Sequence, residues 1–400
     1  MKIFNKSEWK KVKLGDICEV ITGNTPSKKI KEYWDKDEVP FITPPELKYE
    51  GINYITPSIF VSKIGAKQGR IISKNSICVC CIGSLGKLGI LKEDSITNQQ
   101  INSLILKDKN IDLLYLYFYL KTIKNNLESI ASSTTVKIIN KSSFEKIEIS
   151  LPNLEIQKKI SKKLELLENN IDFRKNQLNY LKELNKSLFT RMFGDIKTND
   201  KNWKIKKFHE IISILTDYHA NGSYKILKDN VELLDFKEYA LMIRTTDLEN
   251  NNFIQGVKYI NEKAYNFLKK TKIFGGELII NKIGSAGNVY LMPYLNIPVS
   301  LGMNQFMIRL KKDYSNIFYY KLLTTEYYTN VIKSNVQGAV TKTITKEAIK
   351  NIDIIIPPIE LQNKFAERVE KIEKLKFEIE KSIEIAQNLY DSLISKYFDN

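Results

Sequence analysis

Residues 154–194, LEIQKKISKKLELLENNIDFRKNQLNYLKELNKSLFTRMFG, decide how this chain is organised. Apolar residues fall at Ile160, Leu164, Leu167, Ile171, Leu178, Leu181, Leu188 and Met192. Those gaps are threes, fours and sevens, the spacing of a narrow stripe along one side of a helix. Lys, Glu, Asn and Gln fill the positions between, and neither Pro nor Gly interrupts the run before Gly194. A glycine there can supply the left-handed residue that ends a helix. At about 1.5 Å per residue the helix spans roughly 60 Å, longer than an ordinary globular helix. The stretch therefore predicts one arm of a coiled coil. The C-terminus carries a second arm, residues 359–398, with Phe365, Val369, Ile372, Leu375, Ile379, Ile383, Leu389, Leu393 and Tyr397 in the same rhythm.

What precedes each arm is also written twice. Trp9 to Leu14 matches Trp203 to Phe208, and Ile82-Gly83-Ser84-Leu85-Gly86-Lys87 matches Ile283-Gly284-Ser285-Ala286-Gly287-Asn288. Asn98-Gln99 is matched here with Asn304-Gln305, and Val136-Lys137 with Thr341-Lys342. Leu151-Pro152-Asn153-Leu154-Glu155-Ile156-Gln157 answers Ile356-Pro357-Pro358-Ile359-Glu360-Leu361-Gln362. The period is far longer than a solenoid repeat. It predicts an internal pseudo-two-fold duplication of a domain followed by a helix. The expected segments are a first domain over 1–152, a first long helix over 153–201, a second domain over 202–357 and a second long helix over 358–400.

Each domain reads as α+β, a mixed α/β globule. Strand-like runs at Ser76 to Ile82, Ile101 to Leu106, Glu277 to Asn281 and Phe306 to Leu310 are bounded by Gly, Asn and Ser. Asp112 to Leu120 and Asn316 to Leu323 have helical periodicity. Late strands at Ile147 to Leu151 and Ile352 to Ile356 run into Pro, after which the long helices start, with Asn153 as N-cap of the first.

The formal charge is +16 over 400 residues. It points to a polyanionic partner, nucleic acid or an acidic membrane surface; an AT-rich genome also raises Lys, Asn and Ile. The sequence holds no run of roughly 18 apolar residues and no signal peptide, so a cytoplasmic protein is expected. Cys18, Cys78, Cys80 and Cys81 lack zinc spacing with the two histidines, His209 and His219, and read as reduced core thiols. No metal site is expected.

Motifs for catalysis are missing. Gly83-Ser84-Leu85-Gly86-Lys87 lacks the spacing and the Ser/Thr of a P-loop. The paired Gly-Ser turns read equally as structural turns or as places where a phosphate approaches the backbone. Thr43-Pro44-Pro45-Glu46 is only superficially similar to the Asp/Asn-Pro-Pro-aromatic loop of amino-methyltransferases, and lacks its defining ends. No catalytic residue is assigned.

Polar residues suited to DNA gather near matching landmarks. In the first copy these are Thr25, Ser27, Lys28, Lys29, Lys67, Arg70, Lys87, Asn98, Gln99, Gln100, Thr134, Thr135 and Lys137. In the second they are His219, Asn221, Ser223, Tyr224, Arg244, Thr245, Thr246, Lys282, Asn288, Asn304, Gln305, Gln337, Thr341 and Lys342. Arg and Lys grip guanine edges and phosphates, while Asn and Gln pair bidentately with adenine. The stripe residues Ile160, Leu164, Leu167, Ile171, Leu178, Leu181, Leu188, Met192, Phe365, Val369, Ile372, Ile379, Ile383 and Leu393 are candidates for helix pairing and partner docking.

With these residues in hand, the chain resembles the DNA-specificity (S) subunits of type I restriction–modification systems along its whole length. Thr22-Gly23-Asn24-Thr25-Pro26-Ser27-Lys28, with Glu32-Tyr33-Trp34 and Val39-Pro40-Phe41, is similar to the opening of a first target-recognition domain. Leu151 to Gln157, and Ser187-Leu188-Phe189 with Met192-Phe193-Gly194, are similar to the two ends of the family's first long helix. Asn24 stands where a Gly is usual, and the second copy has Asp217-Tyr218-His219-Ala220-Asn221-Gly222 in place of Thr-Pro-Ser, which suggests that the two domains read different sequences.

The resemblance implies two target-recognition domains that each read half of a split duplex target. It implies antiparallel coiled-coil helices that separate them and dock two modification subunits. It implies no catalysis and no cofactor on this chain. S-adenosylmethionine then belongs to the adenine-methylating modification subunits, and ATP and Mg to restriction subunits. Two alternatives stay open at this stage: a stand-alone DNA-modifying enzyme with a diverged site, and a coiled-coil adaptor without a DNA role.

Overall fold

The computed structural model describes residues 6–131 and 136–398. It divides into two compact units, residues 1–179 with 377–400, and residues 180–376. Each unit contains one copy of the duplicated domain and parts of both long helices.

In the first unit, strands Cys18–Thr22, Ile101–Leu106, Ile77–Cys80 and Leu88–Ile90 lie side by side in an antiparallel sheet. A second four-stranded sheet has the order Phe60–Val61, Val39–Ile42, Ser95–Thr97, Ile71–Ile72, and its two central strands run parallel. Lys10–Lys13 pairs antiparallel with Glu148–Leu151, so the chain enters and leaves the domain side by side, next to the start of the long helix. The second unit repeats this plan. Ile212–Asp217, Gln305–Leu310, Leu278–Asn281 and Val289–Leu291 form the antiparallel sheet. Lys258–Ile260, Ala240–Ile243, Val299–Leu301 and Lys272–Ile273 form the mixed one, and Lys204–Lys207 pairs with Asp353–Ile356.

The strand and helix expectations hold to within a residue or two, because apolar runs at strand length leave few other solutions. Every residue of Ile77–Cys80 and of Leu278–Asn281 is buried, which is why these strands read as continuous apolar runs without alternation. All four cysteines are free and buried in the first unit. The helix Leu113–Thr122 starts from Asp112, whose carboxylate accepts from Tyr115 N at 2.8 Å, and Asn316–Leu323 starts from Ser315.

One sequence match needs correcting. Gly86 N and Gly287 N donate to Cys80 O and Asn281 O, which makes those two strand ends equivalent. Cys80 stands opposite Ile101, and Asn281 opposite Gln305. The true counterpart of Asn304-Gln305 is therefore Gln100-Ile101, two residues on from Asn98-Gln99. The Asn-Gln match was a coincidence of composition; hydrogen bonding sets the register.

The long helices span Leu154–Phe193 and Ile359–Phe398, 40 residues each. Asn153 caps the first: its side chain accepts from Ile156 N at 3.0 Å. Gly194, at φ +79, donates its N–H to Thr190 O at 2.8 Å and ends it. In the second unit the two helices run antiparallel. Asn185 meets Glu373, and seven residues on Met192 meets Arg368, further back along the second helix.

The apolar stripes do more than pair helices. In the first unit Ile160, Leu164 and Ile171 share one core with Tyr115, Phe118 and Leu120 of the domain, and with Tyr390, Leu393 and Phe398 of the second helix. Leu167 and Ile383 pack against it from the edge. In the second unit Phe365 and Val369 join Phe189, Phe193, Phe208 and Phe318, with Leu188 and Met192 at the edge. Ile372 is buried, while Leu178, Leu181 and Ile379 are half-buried.

A glutamine fixes each helix to its domain. Gln157 is 1 % exposed; its Oε1 accepts from Asp112 N at 2.8 Å, and its Nε2 donates to Pro152 O at 2.8 Å. Gln362, also 1 % exposed, repeats this with Ser315 N at 3.0 Å and Pro357 O at 2.8 Å. Removing either amide strands buried backbone groups without partners. Gln157→Ala and Gln362→Ala should each destabilise their own unit by about 1–3 kcal/mol. Denaturant unfolding followed by hydrogen exchange checks this: protection should fall in Leu113–Thr122 for the first variant and in Asn316–Leu323 for the second.

Candidate nucleic-acid interface

The antiparallel sheet of each domain gathers the candidate residues at one end. In the first unit Thr22 stands opposite Asn102, Cys80 opposite Ile101 and Val79 opposite Leu88. One edge therefore carries the end of one strand, the beginning of its neighbour and the turn between the next two. The loop with Thr25, Ser27, Lys28 and Lys29 leaves from this edge; Asn98, Gln99 and Gln100 arrive at it. Lys87 closes the Gly-Ser turn. Lys137 joins them, since its carbonyl accepts from Gly83 N at 3.0 Å. Arg70 is tied in by Nη1 to Thr22 O at 2.6 Å, and Asn24 Nδ2 donates to Gln68 O at 2.7 Å, beside Lys67. Thr134 and Thr135 lie outside the described residues.

The second unit builds the same end. Asp217 faces Phe306, Asn281 faces Gln305 and Ile280 faces Val289. Loops bearing His219, Asn221, Ser223 and Tyr224, the turn with Lys282 and Asn288, and Asn304 thus converge. Ile344 N donates to Lys282 O at 3.1 Å, and Gln337 pairs with Thr343, which brings Gln337, Thr341 and Lys342 alongside.

The Gly-Ser turns are superposable devices. Gly83 and Gly284 have φ of +77 and +85, and Gly86 and Gly287 have +78 and +86. Those values exclude most side chains. A Cβ on Gly83 or Gly284 would meet nothing within 4 Å, so these two turns present bare backbone to open space.

Side chains at the interface divide into engaged and available. Gln305 is fully buried. In the amide orientation that satisfies both neighbours, its nitrogen donates to Ile243 O at 3.1 Å and its oxygen accepts from Thr245 N at 3.2 Å. Asn98 is closed on Gln100, and Asn221 on Thr271 and Lys270. Arg244 holds Asp247 at 2.7 Å and Gly256 O at 2.6 Å, and the Asp247 hydrogen bond pushes its guanidinium pKa up further. Thr43 and Glu46 occupy the place in the first copy that Arg244 and Asp247 hold in the second. Glu46 accepts from Thr43 N at 2.9 Å and so caps its own turn. Thr25 Oγ1 donates to Gln99 Oε1 at 2.7 Å. Ser27, Lys28, Lys29, Lys67, Gln99, Ser223, Tyr224, Thr246, Asn288, Asn304, Thr341 and Lys342 are exposed.

Sequence reading missed three groups. Lys124 Nζ lies 4.4 Å and Lys87 Nζ 5.6 Å from the centre of the Tyr49 ring, an exposed aromatic–cation cluster beside the first turn. In the second unit, Tyr218, Leu227, Met242 and Met303 line a 430 Å³ hollow rimmed by Tyr224, Arg244 and Asn304. Asp217 receives Lys346 at 2.8 Å and Lys282 at 3.3 Å. Each is assembled from residues distant in sequence with no local spacing to mark it.

Burial alone would raise the Asp217 carboxyl, but Lys346 and Lys282 hold it below the usual carboxylate range. Its stabilising contribution is therefore present above the unfolded value, about pH 4, and is lost as pH falls through the depressed native value. Asp217→Asn should flatten the acid limb of the stability profile, read as thermal midpoint against pH. It also leaves two lysines uncompensated. Duplex binding should then tighten and its salt slope steepen by up to about 2, measured by fluorescence anisotropy across a salt series.

Among the described residues no helix is long and apolar enough to cross a membrane. Residues 6–183 and 200–387 match the model of the type I restriction modification DNA specificity domain. The chain is 27% identical over 412 residues to the type I restriction enzyme MjaIX specificity subunit of Methanocaldococcus jannaschii, covering 97% of this chain and 92% of that one. It is 36% identical over 159 residues to the HindI specificity subunit of Haemophilus influenzae, covering 38% of this chain and 34% of the other. The fold is shared with the crystal structure of an S subunit from M. genitalium, at TM-score 0.63 and 17% identity, covering 100% of this chain and 98% of that one. A domain-plus-helix written twice and matched twice by the same model has one reading: the chain belongs to the type I restriction–modification specificity subunits, the non-catalytic subunits of their systems.

Proposed function

We propose that this chain reads a bipartite duplex DNA target, one half-site per recognition domain, and docks two adenine-methylating modification subunits on its long helices. The functional segments are recognition domains over 1–152 and 202–357 and spacer segments over 153–201 and 358–400, which carry the long helices Leu154–Phe193 and Ile359–Phe398. S-adenosylmethionine is held by the modification subunits, ATP and Mg by restriction subunits where a system has them, and the complex works in the cytoplasm.

The observation that carries this reading is the convergence, in both copies, of lysines, amides and a bare Gly-Ser turn at the same sheet end, on a chain of net charge +16. Their side chains differ between copies while the scaffold does not, as two readers of different half-sites require. The helices support the docking. Stripe residues such as Ile160 and Phe365 are enclosed inside the units, so docking falls to apolar residues left outside. Those are Leu166, Phe173, Phe377 and Ile385 in the first unit, each more than 60 % exposed, and Tyr180, Leu184 and Leu375 in the second.

Affinity of the purified chain for duplex DNA should fall steeply with salt, with a log–log slope of several units. A flat response between low and moderate salt rejects the basic interface. Replacing residues 203–357 with the matching segment of a relative should change one half of the methylated target and leave the other intact, read by methylation mapping of the reconstituted complex. A change in both halves rejects independent readers.

A further inference from the structure

The paired Gly-Ser turns share a backbone path and differ in what surrounds it. In the first, the carbonyl of Lys137 accepts from Gly83 N, and Ser84 N–H has no hydrogen-bond partner among the described residues. Tyr49, 42 % exposed, stands beside this turn, its phenol oxygen hydrogen-bonded by Ser84. The stem of Lys124 passes over Gly86, where an added Cβ would lie 3.3 Å from Lys124 Cγ. Lys124 Nζ ends 4.4 Å from the centre of the Tyr49 ring, and Lys87 Nζ ends 5.6 Å from it.

The charges around this ring do not cancel. Glu128 is the carboxylate beside Tyr49, and it pairs with Lys137 at 3.1 Å. Lys87 and Lys124 have no carboxylate at ion-pair distance among the described residues. Three lysines thus face one carboxylate. Two ammoniums gathered at one ring repel each other, and cation–π attraction at an exposed ring is a weak restraint. An anion between them removes the repulsion. Burial, with Cys80 and Glu128 near, pushes the Tyr49 phenol up, so it stays protonated and remains a donor.

The second turn follows the same path with different chemistry. The bridges Ile82–Ile138 and Ile283–Thr343 set the register, so Asn288 stands for Lys87 and Thr329 for Lys124. Ile332 packs at Gly287 as Leu127 packs at Gly86. Where Ser84 meets a phenol, Ser285 donates to the carboxylate of Glu249. Lys282, at the start of the turn, is paired with Asp217 at 3.3 Å. Lys333 and Lys342 take the places of Glu128 and Lys137. The second domain therefore has cations on the flanking segments, while its turn carries a carboxylate.

We propose that the first Gly-Ser turn is a phosphodiester site: one backbone phosphate of the duplex sits between Lys87 and Lys124, against Ser84 N–H and the Tyr49 hydroxyl. The inference rests on the DNA reading above and names a contact within it. A phosphate supplies the negative charge that the two ammoniums lack and the acceptor oxygens that an N–H and a phenol require. The bare Gly83 backbone leaves it room to approach, as turn amides do for anions elsewhere. A base edge carries no charge and would leave the two ammoniums opposed. The contact sets register without reading sequence, and Glu249 bars its equivalent on the second turn.

The test uses the full-length chain with the modification subunits encoded with it, and a duplex bearing the target found by methylation mapping. Fluorescence anisotropy is read across a salt series. Lys87→Gln with Lys124→Gln should lower the log–log slope by about 1 and weaken binding roughly tenfold near 0.1 M salt, by the same factor on the target and on an unrelated duplex. Lys87→Arg with Lys124→Arg should restore both values. Replacing phosphates one at a time by uncharged methylphosphonate should cost the wild type affinity at one position to which the Gln variant is indifferent. That position should lie in the half-site that survives exchange of residues 203–357. Each single Gln variant is measured as well, so the test stands if the double variant does not fold. A folded Gln variant with wild-type slope and affinity overturns the site. Loss confined to the target duplex with the slope unchanged also overturns it, and makes the lysines base readers. An indifferent position in the other half-site overturns it too. A wild-type complex whose affinity is flat with salt ends the DNA reading, and this inference with it.

Discussion

Everything at the recognition ends depends on how each domain is held to the long helices, and that hold is a shared apolar core. In the second unit Phe193 and Phe318 lie 4.6 Å apart, and Phe365 meets Phe193 edge to face at 5.3 Å. In the first unit Phe398 meets Tyr119 at 5.3 Å and Tyr115 at 5.5 Å. Rings of this size bury roughly 150–250 Å² each and prefer tilted or edge contacts. Close packing of that kind resists sliding by even a fraction of a side chain. The buried glutamines add direction to what packing alone leaves free. Because Gln157 and Gln362 bind the backbone just ahead of a domain helix and the carbonyl just ahead of the long helix, they set the angle between the two.

Duplication has preserved single directed contacts within this hold. Gln157 and Gln362, Tyr115 and Tyr319, Glu168 and Glu373 answer one another. The lysine that meets the carboxylate has moved one helical turn, from Lys121 to Lys321, and the ion pair is kept. Interactions directed at backbone atoms or at a single carboxylate tolerate changes around them. The recognition ends obey the opposite rule. There the backbone path is shared, with the same left-handed glycines in the same turns, while the side chains diverge: Thr43 against Arg244, Gln100 against Asn304, Lys87 against Asn288.

Much of this was legible in the sequence, and the failures are physical. Helix spacing, Asn153 as a cap and Gly194 as a stop are local signals, so they could be read directly. The Gly-Ser turns could be paired because glycine at positive φ leaves little freedom. Asn304-Gln305 could not be placed, because an amide pair has no conformational signature and its register is set by a strand far off in sequence. Gln305 has the side chain of a base reader and is buried beneath the candidate interface, bound to Ile243 and Thr245. The stripe on the long helices read as a helix–helix seam because periodicity reports which face is buried, not what buries it. The Tyr49–Lys124 contact and the pairing of Asp217 with Lys282 and Lys346 gave no signal, since the partners arrive from separate segments.

The cysteines carry a consequence of a different kind. All four lie in the first unit, and burial pushes the thiols of Cys18, Cys78 and Cys81 up to about 12 and raises that of Cys80 as well. The thiolate is the reactive form, so these groups stay inert while the sheet is closed. The second domain has no cysteine at all. A thiol-labelling reagent thus acts as a one-sided clock on this duplicated chain. It counts each opening of the first domain and is blind to the second, which separates the breathing of two near-identical folds in one molecule.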